Sequence, residues 1–141
     1  MSDTWEIEVL KAHYARYADE VFRTSGSAAS STALANLFTD DGILDLGPFG
    51  RYSGRTELLN AFQNILPLGT AWSTHYIVSP IINVSGDDAT GDWYFQIQMV
   101  PKSPPHAPVV PIYGGYQDKY KKVRGIWKIK ESVSAFFTPP T

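Results

Sequence analysis

Ala89-Thr-Gly-Asp-Trp-Tyr-Phe-Gln-Ile-Gln-Met-Val100 is the stretch on which the fold turns. Trp93, Phe95, Ile97 and Met99 alternate with Tyr94, Gln96, Gln98 and Val100. This is the two-residue period of a β-strand with unlike faces. One face is wholly apolar and the other is amphipathic, with two amides. In a half-buried sheet the polar face meets water, but helices must cover one face of this sheet, so both faces have something to bury against. The expectation is that Tyr94, Gln96 and Gln98 line a cavity. The apolar face of Trp93, Phe95, Ile97 and Met99 would then meet a partner subunit, giving a homodimer or homotrimer.

Working outward, the pattern on both sides is strand. Ala71 to Val84 precedes it across the turn Ser85-Gly-Asp-Asp88, and Ile112 to Val123 follows a proline-rich loop from Pro101 to Pro111. Arg124-Gly125 then turns into Gly125 to Phe137. The first half reads as helix. From Trp5 to about Phe22, the residues Ile7, Leu10, Tyr14, Tyr17, Ala18 and Val21 form one wide apolar stripe, with Asp3 or Thr4 as the cap. Thr24 to Thr32 reads as a loose polar loop, Thr32 to Phe38 as a short helix, and Asp40-Asp41-Gly42 as a turn. Ile43 to Leu46 is a short strand, and Thr56 to Leu66 a third helix ended by Pro67. Helices first and a long antiparallel meander after them is an α+β arrangement, expected to be one domain over residues 1–141.

Composition narrows the function. The chain has 141 residues, 43% hydrophobic and 18% charged, which fits an ordered globular protein. A formal net charge of −2 leaves no fold-wide basic surface for nucleic acid. The absence of cysteine excludes disulfides, thiolate metal sites and a thiol nucleophile. His13, His75 and His106 show no metal-ligand spacing, and there is no glycine-rich phosphate loop and no G-x-S-x-G. With no apolar run of spanning length and no apolar stretch near Met1, the expectation is a cytoplasmic protein without membrane partners. An aromatic share of 13% makes an aromatic-lined cavity worth seeking.

Several residues stay open on this reading. His75 is either a hydrogen-bonded core histidine or a base working near neutral pH. Asp19 lies on the flank of its helix opposite Leu10, solvated or turned into a site, while Tyr14 sits inside the apolar stripe. Tyr113, Tyr116 and Tyr120 read as sheet and interface residues. The 101–111 segment reads as a stiff flap over a pocket or against a neighbouring subunit.

The run Leu34-Ala-Asn-Leu-Phe-Thr-Asp-Asp-Gly42, with Gly50-Arg-Tyr-Ser-Gly-Arg55, Thr74-His-Tyr76, Asp88 to Phe95, Gly114-Gly-Tyr-Gln-Asp118 and Gly125-Ile-Trp-Lys128, resembles the SnoaL-like branch of the nuclear-transport-factor-2-like superfamily. It looks closest there to the scytalone dehydratase, bile-acid 7α-dehydratase and dehydrochlorinase group. The resemblance implies a cone-shaped barrel, a strongly curved, mostly antiparallel sheet wrapped around three N-terminal helices. It also implies cofactor-independent chemistry through a His–Asp pair, often with a Tyr. Tyr14 and Asp19 match the Tyr and Asp of the first helix, and His75 the strand histidine. Where the dehydratase relatives carry a titratable Asp or His on the next strand, this chain has Gln96 and Gln98. The implied function is a lyase or isomerase acting on a small apolar ring compound with a carbonyl or hydroxyl. His75 would be the base, Asp19 its orienting partner, Tyr14 a donor to the substrate oxygen, and Gln96, Gln98 and Tyr94 substrate contacts. The alternative is a non-catalytic binding or assembly module of the same fold.

Overall fold

The computed structural model describes residues 2–137. Helix α1 (Asp3–Arg23) and helix α2 (Ala28–Ala35) lead into strand β1 (Phe38–Asp45), the short strand β2 (Arg51–Ser53) and helix α3 (Arg55–Asn60). Strands β3 (Thr70–Ser85), β4 (Asp88–Pro101), β5 (Val110–Val123) and β6 (Ile126–Phe136) follow. They form one six-stranded sheet in the order β2-β1-β6-β5-β4-β3, antiparallel except where β1 runs parallel to β6. The sheet curls around α1 and the shorter helices without closing, the α+β cone expected.

Each end of α1 is tied to the sheet. Ser2, rather than Asp3 or Thr4, is its cap, accepting from the Trp5 amide at 3.1 Å. Asp3 instead accepts from Trp127 Nε1 at 3.0 Å and from Lys122 Nζ at 3.1 Å. Further along, Lys11 is buried to 1% exposure and its Nζ meets Asp118 Oδ2 at 2.8 Å. Asp118 also accepts from Tyr120 Oη and from Ser132 Oγ, both at 2.6 Å, and Trp93 Nε1 donates to Tyr120 Oη at 2.9 Å. The Lys11 ammonium lies 4.2 Å from the Tyr14 ring centre and 3.8 Å from that of Tyr116, so two aromatic faces share its charge with Asp118. Burial pulls Lys11 down from the usual lysine range, against the opposing pull of Asp118.

Three local expectations change. The Thr24 to Thr32 stretch is not a loose loop, because Ser27 Oγ accepts from the Ser30 amide at 3.2 Å and starts α2. The second helix ends at Ala35 instead of Phe38, since β6 claims the chain there: Ile129 N donates to Leu37 O at 2.8 Å and pairs with Phe38. Asp40-Asp41-Gly42 is accordingly a register shift within β1, not a turn between elements.

The larger correction concerns the faces of β4. Phe95 is 3% exposed and Tyr94 is 59% exposed. Trp93, Phe95, Ile97 and Met99 point into the cone, so they are not the partner-subunit surface. Tyr94, Gln96 and Gln98 stand on the convex side and line no internal cavity. Register makes this consistent across strands: Ile77, Phe95, Gly114 and Phe136 form one inward row, and Tyr76, Gln96 and Tyr113 one outward row. Gly114 has no side chain where the Phe95 ring lies against its backbone, so the inward row closes over glycine.

Removing one member of a buried ion pair strands the other. Lys11→Met should destabilise the protein by about 3–5 kcal/mol in urea titration. Lys11→Met combined with Asp118→Asn should be less destabilised than Lys11→Met alone, since no charge is then left buried.

Candidate active site

Two adjoining hollows, with cavity volumes of about 70 Å³ and about 160 Å³, open between α1 and the concave face of the sheet. They share Phe22, Leu46, Leu66, His75, Ile97 and Phe136 in their walls, so they form one space. The register places its floor and mouth. His75, Ile97 and Ile112 form a row toward the open end, with Ser73 and Met99 beyond it, and Trp93, Tyr116 and Ser134 form the row nearest the Lys11–Asp118 network. Apart from a few hydroxyls and the imidazole, the lining is hydrocarbon and aromatic ring.

His75 is the one basic side chain in that wall, and Asp19 holds it. Asp19 Oδ1 lies 2.6 Å from His75 Nδ1 and accepts from Ser73 Oγ at 2.8 Å; Oδ2 accepts from the His75 backbone amide at 3.2 Å. Because a carboxylate only accepts, the Nδ1 position carries the proton, and in the neutral imidazole the lone pair is then on Nε2, a tautomer assigned by the network. Both side chains are about nine-tenths buried. The ring is fixed on two further sides, parallel to Phe22 at 6.5 Å between centres and edge-on to Tyr14 at 6.4 Å.

The helical wheel could place Asp19 only on the flank of α1. It faces β3 because β3 is the edge strand beside that flank. Ser73 and His75 lie two residues apart on the strand's inward face, so one carboxylate reaches both.

Tyr14 reaches the cavity from the apolar stripe of α1. Its ring stands edge-on to that of Tyr116 at 5.8 Å, and burial pushes both phenols above the ordinary tyrosine range, with Asp118 adding to the rise. Both therefore stay protonated throughout the neutral range. His75, Asp19 and Tyr14 are thus brought together, whereas Gln96, Gln98 and Tyr94 lie across the sheet from them. The 101–111 loop lines neither hollow; Met99 and Ile112, just outside it, do. His13 sits on the surface against Tyr17 Oη at 3.1 Å.

The sequence reading missed Ser73, Tyr116 and Ser134 as site residues. Their signal was present as alternation, Tyr116-x-Asp118-x-Tyr120 and Ser132-x-Ser134, each a polar inward face on its strand. Among the described residues, no group of three or more His, Asp or Glu side chains converges as a metal site would require.

Comparison with known proteins agrees with this architecture. The SnoaL-like domain family matches residues 1–133. No curated protein matches the chain. Among solved structures, a Novosphingobium aromaticivorans protein proposed to be an aromatic ring hydroxylase superposes with a TM-score of 0.82 at 24% identity, covering 97% of this chain and 90% of its own. A second protein of that organism, proposed to be a scytalone dehydratase, gives 0.82 at 21% identity over 96% and 85%. Hexachlorocyclohexane dehydrochlorinase LinA-type3 from Novosphingobium barchaimii gives 0.80 at 18% identity over 96% and 86%. At these identities the likeness is one of fold.

Asp19 should carry a measurable share of stability. Asp19→Ala leaves the Ser73 hydroxyl, the His75 amide and the imidazole without their acceptor and should cost about 2–3 kcal/mol in thermal or urea unfolding. Asp19→Asn, which keeps an acceptor oxygen, should cost less.

Proposed function

Since the chain belongs to the SnoaL-like domain family, we propose that it is a cofactor-independent lyase or isomerase that moves a proton on a small, largely apolar ring compound bearing a carbonyl or hydroxyl. The observation that carries this reading is the 2.6 Å contact between Asp19 Oδ1 and His75 Nδ1 in the wall of an apolar cavity. A dehydrochlorinase and a proposed dehydratase among the proteins of like fold point to the same class, elimination begun by removal of a proton.

In this mechanism His75 Nε2 takes a proton from a ring carbon next to the carbonyl, or next to the carbon that bears the leaving group. The C–H electron pair becomes the new double bond. In a lyase the leaving group departs with its own bonding pair. In an isomerase the imidazolium returns the proton to another carbon. Asp19 holds the imidazole in the tautomer whose Nε2 is free and stabilises the imidazolium as it forms. Tyr14, kept protonated by its burial, donates to the substrate oxygen on which negative charge develops. The hydrocarbon walls strengthen each of these interactions by excluding water.

The test does not require the natural substrate. Ring ketones such as 2-tetralone, incubated with the protein in deuterium oxide, should exchange their α-protons, followed by proton NMR. His75→Ala and His75→Gln should each lower the catalysed rate by at least about 100-fold, and His75→Gln, which keeps a donor for Asp19, should melt closer to the wild type than His75→Ala. A protein that binds these ketones without exchanging them would instead be the non-catalytic binding module.

We also propose that the homo-oligomer forms through the convex face of the sheet. Tyr76, Val78, Ile81, Tyr94, Tyr113 and Phe137 are all exposed, and Tyr94 meets Phe137 edge-on at 5.8 Å. An apolar, aromatic face of this kind on an antiparallel sheet suits contact with other copies of the chain. Light scattering should give a dimer or trimer mass, and Tyr94→Lys should shift it toward the monomer without altering exchange on the protomer. A wild-type monomer at tens of micromolar would refute the assembly.

A further inference from the structure

The deep end of the cavity holds a polar group that proton transfer at His75 does not use. Ser134 is 7% exposed, lines the cavity, and its Oγ has no hydrogen-bond partner among the described residues. Two residues earlier on the same face of β6, Ser132 spends its hydroxyl on Asp118 at 2.6 Å. The strand therefore points two serines into the cone, one consumed by the ion-pair network and one left over. The other unpartnered buried hydroxyl, Ser31, belongs to α2 and is not in the cavity wall.

A buried hydroxyl without a partner is unfavourable, and alanine would serve the packing at this position as well. Phe95, Phe136 and Leu44, which line the cavity with Ser134, cannot hydrogen-bond. Tyr116, the register partner of Ser134 on β5, stands beside it in the same wall with its phenol protonated. A partner for Ser134 has to come from what fills the cavity.

We propose that Ser134, with Tyr116 beside it, binds a second oxygen of the ligand, a hydroxyl or carbonyl remote from the carbon at which His75 acts. This rests on the reading of the cavity as the site of proton transfer, and it adds the shape of the substrate. The His75 row and the Ser134 row are four residues apart along β4, from Ile97 to Trp93, or about 13 Å of strand. Tyr14 stands between the two rows, its ring 6.4 Å from that of His75 and 5.8 Å from that of Tyr116. The substrate class is thus a ring compound with two oxygens held apart, one at the reacting end and one at Ser134.

The probes are 2-tetralone and 6-hydroxy-2-tetralone, which differ only in the distal hydroxyl, titrated calorimetrically into the 141-residue chain. The wild type should bind the hydroxylated ketone about tenfold more tightly. Ser134→Ala should bring that ratio close to one, Tyr116→Phe should reduce it in part, and His75→Ala should preserve it. Since Ser134 makes no side-chain hydrogen bond among the described residues, Ser134→Ala should melt no lower than the wild type. A wild-type ratio near one, a ratio unchanged in Ser134→Ala, or a melting temperature lowered by Ser134→Ala would each overturn the proposal. In those cases α-proton exchange lost with His75→Ala would leave the reading of the proton-transfer site standing. If neither ketone binds, that reading falls and this proposal falls with it.

Discussion

The Lys11–Asp118 ion pair is the constraint around which the rest of the molecule is arranged. A lysine on the inner face of the first helix and an aspartate on the inner face of β5 are both taken out of water, and neither is tolerable there alone. Their mutual satisfaction sets the height and rotation of α1 over the sheet. Tyr120, Ser132 and the faces of Tyr14 and Tyr116 complete the shell of the pair. Once α1 is seated in this way, Tyr14 and Asp19 further along the helix have little freedom in where they point. The rings of Tyr14 and Tyr116 that flank the Lys11 ammonium also line the cavity, which extends from them toward Phe49, Met99 and Ile112.

Asp19 shows how structure and chemistry share one group. Its carboxylate pins the second half of α1 to the edge strand by accepting from both Ser73 and the backbone of His75, and it orients the imidazole with the same oxygens. β3 has a sheet neighbour on one side only, so without this tether the strand carrying His75 would depend on β4 alone for its position. A side chain held to within tenths of an ångström needs such support. Here a single residue supplies both the support and the hydrogen-bond partner, so the positioning of the imidazole is bound up with the stability of the helix–strand contact.

The two faces of β4 carry a more general lesson. A period of two proves that a strand has unlike faces without saying which face is inside. Tyr94, Gln96 and Gln98 were expected inside because polar side chains in a cavity suggest a site. Inside, however, lies the wall opposite an apolar helix stripe, and Phe95 and Ile97 match it. The amides of Gln96 and Gln98 reach water on the convex side beside Tyr76 and Tyr113, where they need no internal partner. The polar groups that do face inward, Ser73, Tyr116, Asp118, Ser132 and Ser134, come from three different strands and so never form a motif along the chain.

By itself the sequence determined the order of the elements, the α+β class, the inward stripe of α1 and the residue types able to work as base, orienter and donor. These follow from local periodicity and chemistry, which act over a few residues. Asp19 and His75 are separated by 56 positions; their contact exists because α1 crosses β3, a fact about packing that no spacing encodes. The early start of α2, the growth of β1 into the expected helix end at Phe38, and the inward turn of Trp93 were likewise decided by partners distant in the chain. Ser134 is the clearest case. In the sequence it is one more serine in an alternating strand, and only the packed cavity, which leaves its hydroxyl without a partner, sets it apart.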